Sequence, residues 1–591
     1  MTRSKFLSII IIGFITISCE SEKELMSYSL MTEVIPAESG KINPSEGKFQ
    51  DGEVISVIAE PNQGWVFQTW DGDLISTTIP LSLTMNSDKK INAVFIRKDY
   101  PLTITVEGEG WVEEKVVFNP NMREYPYETI VELIPRPKEG WEFIEWGGDL
   151  SGNNLVERIT IDKEKNVVAK FLPSSFMKYF GGSKTDRGTS INKTSDGGYI
   201  ITGYTFSNDE DFNNQFNGGI DIIVIKLNSN LEKQWIKTFG GSSIDIGSSV
   251  IESQDGGYTI TGRTASTNGD FSNRTRSDFD IFVLKLDLNG NKVWTKTFGG
   301  ANGALGYAII QTQDGGYVVT GISYSNNGDF DGLRKGEAYT YLLKLNSSGE
   351  KQWIKSFGGS KVEIGNSIAL SQDGGYVITG ITTSNDGDFI GMNKGIGNVF
   401  VLKTSSTGQK EWVKTFGGNK EDAGYSKDEG YSIYSCLDGG FVLSGKTTSL
   451  DGDFGVNKGV SDVFVIKIDS RGEKEWIRTF GGTNGETAYS IIQTENGGYI
   501  LTGEFTSDDG DFAGLNKGDS DAFVIKLDSK GNKQWIKAFG GSNQERGSSV
   551  VQSSDRSYGI TGQFMSNDKD FSGVNKGLED VLIIKISFDG I

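Results

Sequence analysis

Three features of the sequence predict an all-β protein, a seven-bladed β-propeller preceded by two small β-rich modules. The triplet Phe-Gly-Gly begins at Phe180, Phe239, Phe298, Phe357, Phe416, Phe480 and Phe539, at spacings of 59, 59, 59, 59, 64 and 59 residues. Each copy carries four short runs of alternating apolar and β-branched residues, and no segment sustains a helical period. Gly supplies 79 of the 591 residues and Pro only 10. Tight turns are therefore made by Gly and Asx residues, as in a chain of many short strands. Four strands per unit, repeated several times, is the pattern of a propeller.

Composition narrows the function classes. Lys and Arg number 58 and Asp and Glu 78, for a net charge of −20. Such a surface repels phosphate backbones, so nucleic acid is not expected as a partner. Histidine is absent. No Ser-His-Asp triad, Cys-His dyad, imidazole base or His-based metal site can be assembled.

Residues 1–18 read as a signal peptide. Arg3 and Lys5 precede an almost unbroken apolar run from Phe6 to Ile17. That run is too short to cross a hydrocarbon core of about 30 Å but suits a signal-peptide h-region. It ends in Ile17-Ser18-Cys19, which resembles the lipobox of bacterial lipoproteins, with Thr16 where that motif usually has Leu. The resemblance implies cleavage before Cys19, lipidation of its thiol and new amino terminus, and a membrane anchor. Residues 19–27 form an acidic linker. Its Glu-Ser-Glu-Lys-Glu stretch resembles signals that send some Gram-negative lipoproteins to the outer face of the outer membrane, so lipid-anchored display at the cell surface is the expected location. With Cys19 modified, Cys436 has no partner and no structural disulfide is expected.

Residues 28–97 and 99–172 are two versions of one unit. GWVFQTWDGDL at 64–74 aligns with GWEFIEWGGDLSG at 140–152, so Trp65 and Trp70 correspond to Trp141 and Trp146. Each unit closes on an alternating strand, at 91–95 and 166–171. The pair resembles the divergent internalin B-repeat of bacterial surface proteins, a resemblance that implies a stalk or spacer. The tryptophans could form a sugar-stacking platform, but a small β module needs large aromatics for its core.

Residues 173–591 hold the repeats. In the fourth copy GNSIAL, GGYVITGITTS, NVFVLKT and KEWVKTF are the four strands, and the loop SNDGDF.G.NKG joins the second to the third. The fifth copy is read as carrying an insertion, KDEGYS, before its DGG turn. The last copy stops at Ile591, where a fourth strand should begin, while SSFMKYFGG at 174–182 precedes the first copy as an orphan fourth strand. Joining the two completes the seventh blade and leaves no open edge. The repeats resemble the Gly-Gly-Tyr/Trp-Phe-Gly-Gly arrays of large bacterial cell-surface proteins. The turn at 526–535 resembles the tryptophan-docking turn of quinoprotein-type propellers, whose cofactor site is not visible here; no cofactor is expected beyond calcium.

Four sets of repeated residues have both a functional and a structural reading. Trp235, Trp294, Trp353, Trp412, Trp476 and Trp535, with Phe176 at the equivalent place, are expected to wedge between blades rather than stack sugars. Lys226, Lys285, Lys344, Lys403, Lys467, Lys526 and Lys585 sit in the apolar third strand; alternation should turn their ammonium groups to water or to a local ion pair. Asp386 and Asp388, Asp451 and Asp453, and Asp509 and Asp511 are the metal candidates, because carboxylates at i and i+2 begin many calcium loops. Lys394, Lys458 and Lys517 follow in the same loops and could neutralise them. Six residues after each Phe come Asp186, Asp245, Glu363, Glu486 and Glu545, with Asp422 or Asp428 in the fifth copy and Ala304 in the third. They are expected either to ring one mouth of the central channel as a cation-binding site or to cap their own turns.

The reading that follows is a non-catalytic surface lipoprotein that displays a propeller to bind a glycan or a protein. The alternatives are a polysaccharide-degrading propeller, a lyase or glycosidase, and a purely structural surface protein. An enzyme would need unequal residues gathered on one face, and no copy carries a distinctive cluster when read along the chain.

Overall fold

A computed structural model describes residues 26–587 except 117–123, 139–140, 174, 214–217, 277, 334, 419–426 and 456. Cys19 and Asp422 lie outside the described residues. The chain forms two compact units, residues 1–173 and 174–591.

The first unit contains two modules of the same topology. In the first, strands Glu46–Gln50, Ser27–Ile35, Lys89–Arg97 and Trp65–Gly72 form one sheet, and Gly40–Asn43, Glu53–Pro61 and Leu81–Met85 a second. The second module repeats this with a four-stranded and a three-stranded sheet. Trp70 and Trp146 are fully buried, and each Nε1 donates to a backbone carbonyl, of Thr78 and of Asn154, at 2.9 Å. Trp65 and Trp141 pack at the edges of the two cores. These indoles are core, as a module this small requires.

The second unit is a β-propeller of repeated four-stranded sheets, seven among the described residues. They are numbered here in chain order; sheet one is Asp186–Lys193, Tyr199–Thr205, Asp221–Leu227 and Lys233–Phe239. The first strands lie innermost, where a serine of one accepts the N–H of the next: Ser190 from Val250, Ser432 from Ile491, Ser490 from Val550. The series closes on itself, because Ile191 of sheet one donates to Ser549 of sheet seven. Sheet seven takes its outer strand from the start of the unit. Ser175–Phe180 pairs antiparallel with Asp580–Ile586, and Phe176 faces Lys585 as Trp235 faces Lys226. In the fifth copy Glu429–Ser435 is the first strand, in register with Phe441–Thr447. Asp428 to Ser432 are thus not inserted residues, contrary to the sequence reading; the extra residues precede them.

The tryptophans pack between sheets. Trp235, Trp294, Trp353, Trp412 and Trp476 each lie over a turn glycine of the following sheet (Gly290, Gly349, Gly408, Gly472 and Gly531), where a Cβ would come within about 2.7–2.9 Å of the indole. Those glycines also have φ of +75° to +80°, which favours Gly independently. Trp235 further meets Tyr258 of the next sheet at 5.8 Å between ring centroids, and Trp476 meets Tyr499 at 5.6 Å.

The third-strand lysines do not reach water. The next sheet covers the face that alternation would have exposed, and six of the seven are buried. Six of the seven ammonium groups instead meet the aspartate of their own sheet's DGG or equivalent turn, among them Lys226 with Asp196 at 2.8 Å, Lys285 with Asp255 at 2.6 Å, Lys403 with Asp373 at 2.8 Å and Lys585 with Asp555 at 2.6 Å. Bonds from Lys226, Thr194 and the Gly198 N–H overcome burial and hold the Asp196 carboxyl down at about 2. Sheet six has Asn496 in place of the aspartate. There burial, with no ion pair among the described residues, lowers Lys526 to about 8.

Candidate functional site

The NDGDF loops are built around their phenylalanines: Phe389 and Phe512 are fully buried in the cores between sheets. Their carboxylates turn to different partners. Asp386 accepts the Ser360 N–H at 2.7 Å and Asp509 the Thr483 N–H at 2.8 Å; Asp451 lies beside Gly418. Asp388, Asp453 and Asp511 each accept a Phe-Gly-Gly N–H and meet two lysines. Lys394 binds Asp453 at 2.7 Å and Lys458 binds Asp511 at 2.6 Å. Each NKG lysine therefore reaches the loop of the next sheet, contrary to the expectation that it neutralises the carboxylates of its own loop. Among the described residues no group of three or more Cys, Asp or Glu side chains is placed to hold a metal.

The acids six residues after each Phe are buried, not displayed at the channel mouth. Asp186, Asp245 and Glu363 are 0 % exposed. Asp245 accepts the Gly241 N–H at 2.9 Å and the hydroxyls of Thr264 and Ser266 at 2.5 and 2.6 Å. Asp186, Glu363, Glu486 and Glu545 repeat the Gly N–H bond, at 2.7–3.0 Å. In the fifth copy Asp428 takes the position, accepting from Thr447 and Ser449. In the third, where the residue is Ala304, the Tyr339 hydroxyl donates to the Ser325 carbonyl instead. This is the turn-capping geometry.

Beside these acids lies a second carboxyl that the repeat alone does not reveal. The third strand of the preceding sheet begins with Asp462, Asp521 or Asp580, whose Oδ2 accepts a Lys N–H. Its Oδ1 is buried and has no hydrogen-bond partner among the described residues. A Cβ at Gly481 would meet Asp462 Oδ1 and Glu486 Oε2 together, so the two carboxyls are close neighbours. Burial first, and the adjoining Glu545 and Asp186 next among the raising influences, push Asp521 and Asp580 up to about 6. Sheet four has Asn398 at this place, facing Asp428 with its Nδ2.

Stability should follow. An aspartate with a folded pKa near 6 and an unfolded value near 3.9 binds more protons when folded, so stability falls as pH rises from about 4 to 6 and stays lower above. The lowered aspartates, such as Asp196, withdraw their contribution only below about pH 4. We expect a higher melting temperature at pH 5 than at pH 7.5. Asp521→Asn with Asp580→Asn should raise the unfolding free energy at pH 7.5 by on the order of 1–3 kcal/mol per site and flatten the profile. A double variant with the unaltered pH profile would refute the carboxyl pairing.

Unequal residues do gather on one face. Three positions per sheet lie at one mouth of the channel: the residue after the buried acid, the one two further on, and the second-strand residue paired with the former. In sheet one these are Arg187, Thr189 and Tyr204; in sheet two, Ile246, Ser248 and Arg263. Sheet five offers Glu429, Tyr431 and Lys446, sheet six Thr487, Tyr489 and Glu504, and sheet seven Arg546, Ser548 and Gln563. Sheets three and four contribute Tyr307 and Asn366 beside aliphatic pairs. Most of them, though not Glu429, Lys446, Thr487, Glu504 or the aliphatic pairs of sheets three and four, line an open cavity of about 420 Å³. Arg546 binds Glu504 through two nitrogens at 2.8 and 3.0 Å and lies 4.4 Å over the Tyr489 ring. Arg187 is held likewise by both oxygens of Glu579. Tyr431 donates to Glu429 at 2.8 Å and its ring meets that of Tyr489 at 5.2 Å between centroids, tilted by 55°. Burial raises the phenols of Tyr204, Tyr307, Tyr431 and Tyr489 above their ordinary value. The signal available beforehand was the set of positions that vary inside an otherwise uniform repeat.

The opposite mouth has a cavity of about 530 Å³, lined partly by Ile492, Val551, Tyr434 and Cys436. Cys436 is buried and its thiol is pushed up to about 12, so it stays protonated and unreactive.

Residues 30–99 and 100–175 each match the family of the divergent InlB B-repeat domain. A curated relative, the regulatory protein FlaEY of Caulobacter vibrioides, is 28% identical over 121 residues, 19% of this chain. The match spans only 13% of that relative's length. Among solved structures, YCF48 bound to D1 peptide is similar over 70% of this chain and 96% of its own, at 11% identity and a TM-score of 0.35. The Pan2 WD40 domain of Neurospora crassa is similar over 68% and 89%, at 10% identity and a TM-score of 0.37.

Proposed function

We propose that this is a non-catalytic, lipid-anchored cell-surface protein that binds a glycan or protein at the channel mouth of its propeller, with the two B-repeat modules as a spacer. The observation that carries the reading is that repetition lapses at one place. The tryptophans, buried acids and ion pairs recur from sheet to sheet, as a scaffold needs, whereas the three mouth positions differ in nearly every sheet. Varied polar and aromatic groups on a rigid repeated frame are the usual make-up of a recognition surface.

A second reading, a polysaccharide-degrading enzyme, draws on the same Tyr, Arg and Glu residues. Binding is favoured by their protonation states and partners. The raised phenols stay protonated near neutral pH and make poor bases. Glu504 and Glu579 are engaged by arginines and Glu429 by Tyr431 and Asn366.

The experiment is a glycan-array screen of the protein beside assays for polysaccharide cleavage. Array binding without cleavage is expected; cleavage lost on replacing one mouth carboxylate would overturn the reading. Cys19→Ser should release the protein from membranes, and unchanged membrane fractionation would refute the anchor.

A further inference from the structure

Of the three arginines at the mouth, two are spent and one is not. Arg187 and Arg546 each lie against a carboxylate. Arg263 stands 5.7 Å over the Phe279 ring and, among the described residues, meets no carboxylate and no hydrogen-bond acceptor. It is only half-buried, and its charge reaches the phenols of Tyr204 and Tyr307. The Tyr307 hydroxyl likewise makes no hydrogen bond among the described residues, and the other mouth positions of its sheet are the aliphatic Leu305 and Ile322.

A chain with 78 acidic residues had ample means to neutralise this arginine. A guanidinium held over an aromatic face keeps its planar fork of donors free, and that fork matches a carboxylate through two parallel bonds. The neighbouring surface suits a sugar more than a peptide. Tyrosine rings and the amides of Asn366 and Gln563 surround the cavity, and Ile246 is its single aliphatic lining side chain. A peptide would need a deeper apolar pocket for an anchor residue.

We propose that the mouth binds a carboxylate-bearing sugar, a uronic-acid unit of an acidic glycan, with the carboxylate on Arg263 and the sugar against Tyr307. This rests on the mouth being the binding site and goes further by naming the ligand class.

The test is calorimetric titration of the full chain carrying Cys19→Ser with hexameric oligogalacturonate and with a neutral glucose hexamer. Oligogalacturonate should bind at least about tenfold more tightly than the neutral hexamer. Arg263→Gln should weaken its binding at least about tenfold, as loss of a charge-assisted pair does, with Arg263→Lys intermediate and melting temperatures unchanged. Absent binding of oligogalacturonate, or equal binding by Arg263→Gln, would overturn the proposal. Ser548→Trp, which fills the mouth, separates the two levels. If it abolishes binding of the neutral hexamer while Arg263→Gln has no effect, the mouth is the site but acid recognition is wrong. If it leaves all glycan binding intact, the mouth itself is the wrong site.

Discussion

Deleting residues 175–180 should lower the melting temperature of the propeller by on the order of 10 °C and promote aggregation. The strand Ser175–Phe180 is the outer strand of sheet seven, although it lies about 400 residues from its pairing partner Asp580–Ile586. Phe180 is buried, Phe176 packs onto the core of sheet one, and Met177 and Tyr179 pack onto the core of sheet seven. At about 1.5–3 kcal/mol for each well-buried side chain, the deletion removes up to about 6–12 kcal/mol. In a domain this large each kcal/mol moves the midpoint by about 2 °C or less. It also uncovers the Asp580–Ile586 edge, a template for pairing with another molecule. Calorimetry and light scattering measure both effects. An unchanged midpoint would show that sheet seven stands without its borrowed strand.

The second large effect is expected at the same junction. At five junctions an indole lies over a turn glycine, but here Phe176 occupies the tryptophan register and Leu231 stands at the glycine position of the sheet-one turn. Leu231 is fully buried, shares a core with Phe176 and has φ of +59°, a conformation unfavourable to leucine. The smaller ring and the larger turn residue fill the same space. Leu231→Gly should destabilise by about 1–3 kcal/mol, the lost packing less the relieved backbone strain. Phe176→Trp alone should cost about 1–3 kcal/mol through overpacking. Together they rebuild the indole-on-glycine arrangement of those five junctions, and the double variant should recover about 2 kcal/mol relative to the sum. Additive effects in the denaturation cycle would mean that the two side chains do not compensate.

The repeat was legible in the sequence because each sheet needs the same wedge, turn and buried acid, so identical demands recur as identical residues. The spare strand at one end and the missing one at the other declared their pairing by the same logic. Along the chain, however, Arg187, Arg263, Tyr307, Tyr431, Tyr489 and Arg546 are scattered departures from a consensus, 44 to 124 residues apart between successive members. Nothing local distinguishes them from drift.

By itself the sequence determined the all-β class, the period of the array and the positions that build its joints, because those depend on strand alternation and turn chemistry within about 60 residues. Tertiary structure decided everything that depends on what lies across a sheet junction. It buried the third-strand lysines onto aspartates, carried each NKG lysine to the next loop, and set Asp580 against Asp186. It also brought Arg263, which meets no carboxylate among the described residues, and a group of tyrosines around a common axis. Burial and charge pairing are set by neighbours in space, and in a closed ring the neighbour of the last sheet is the first.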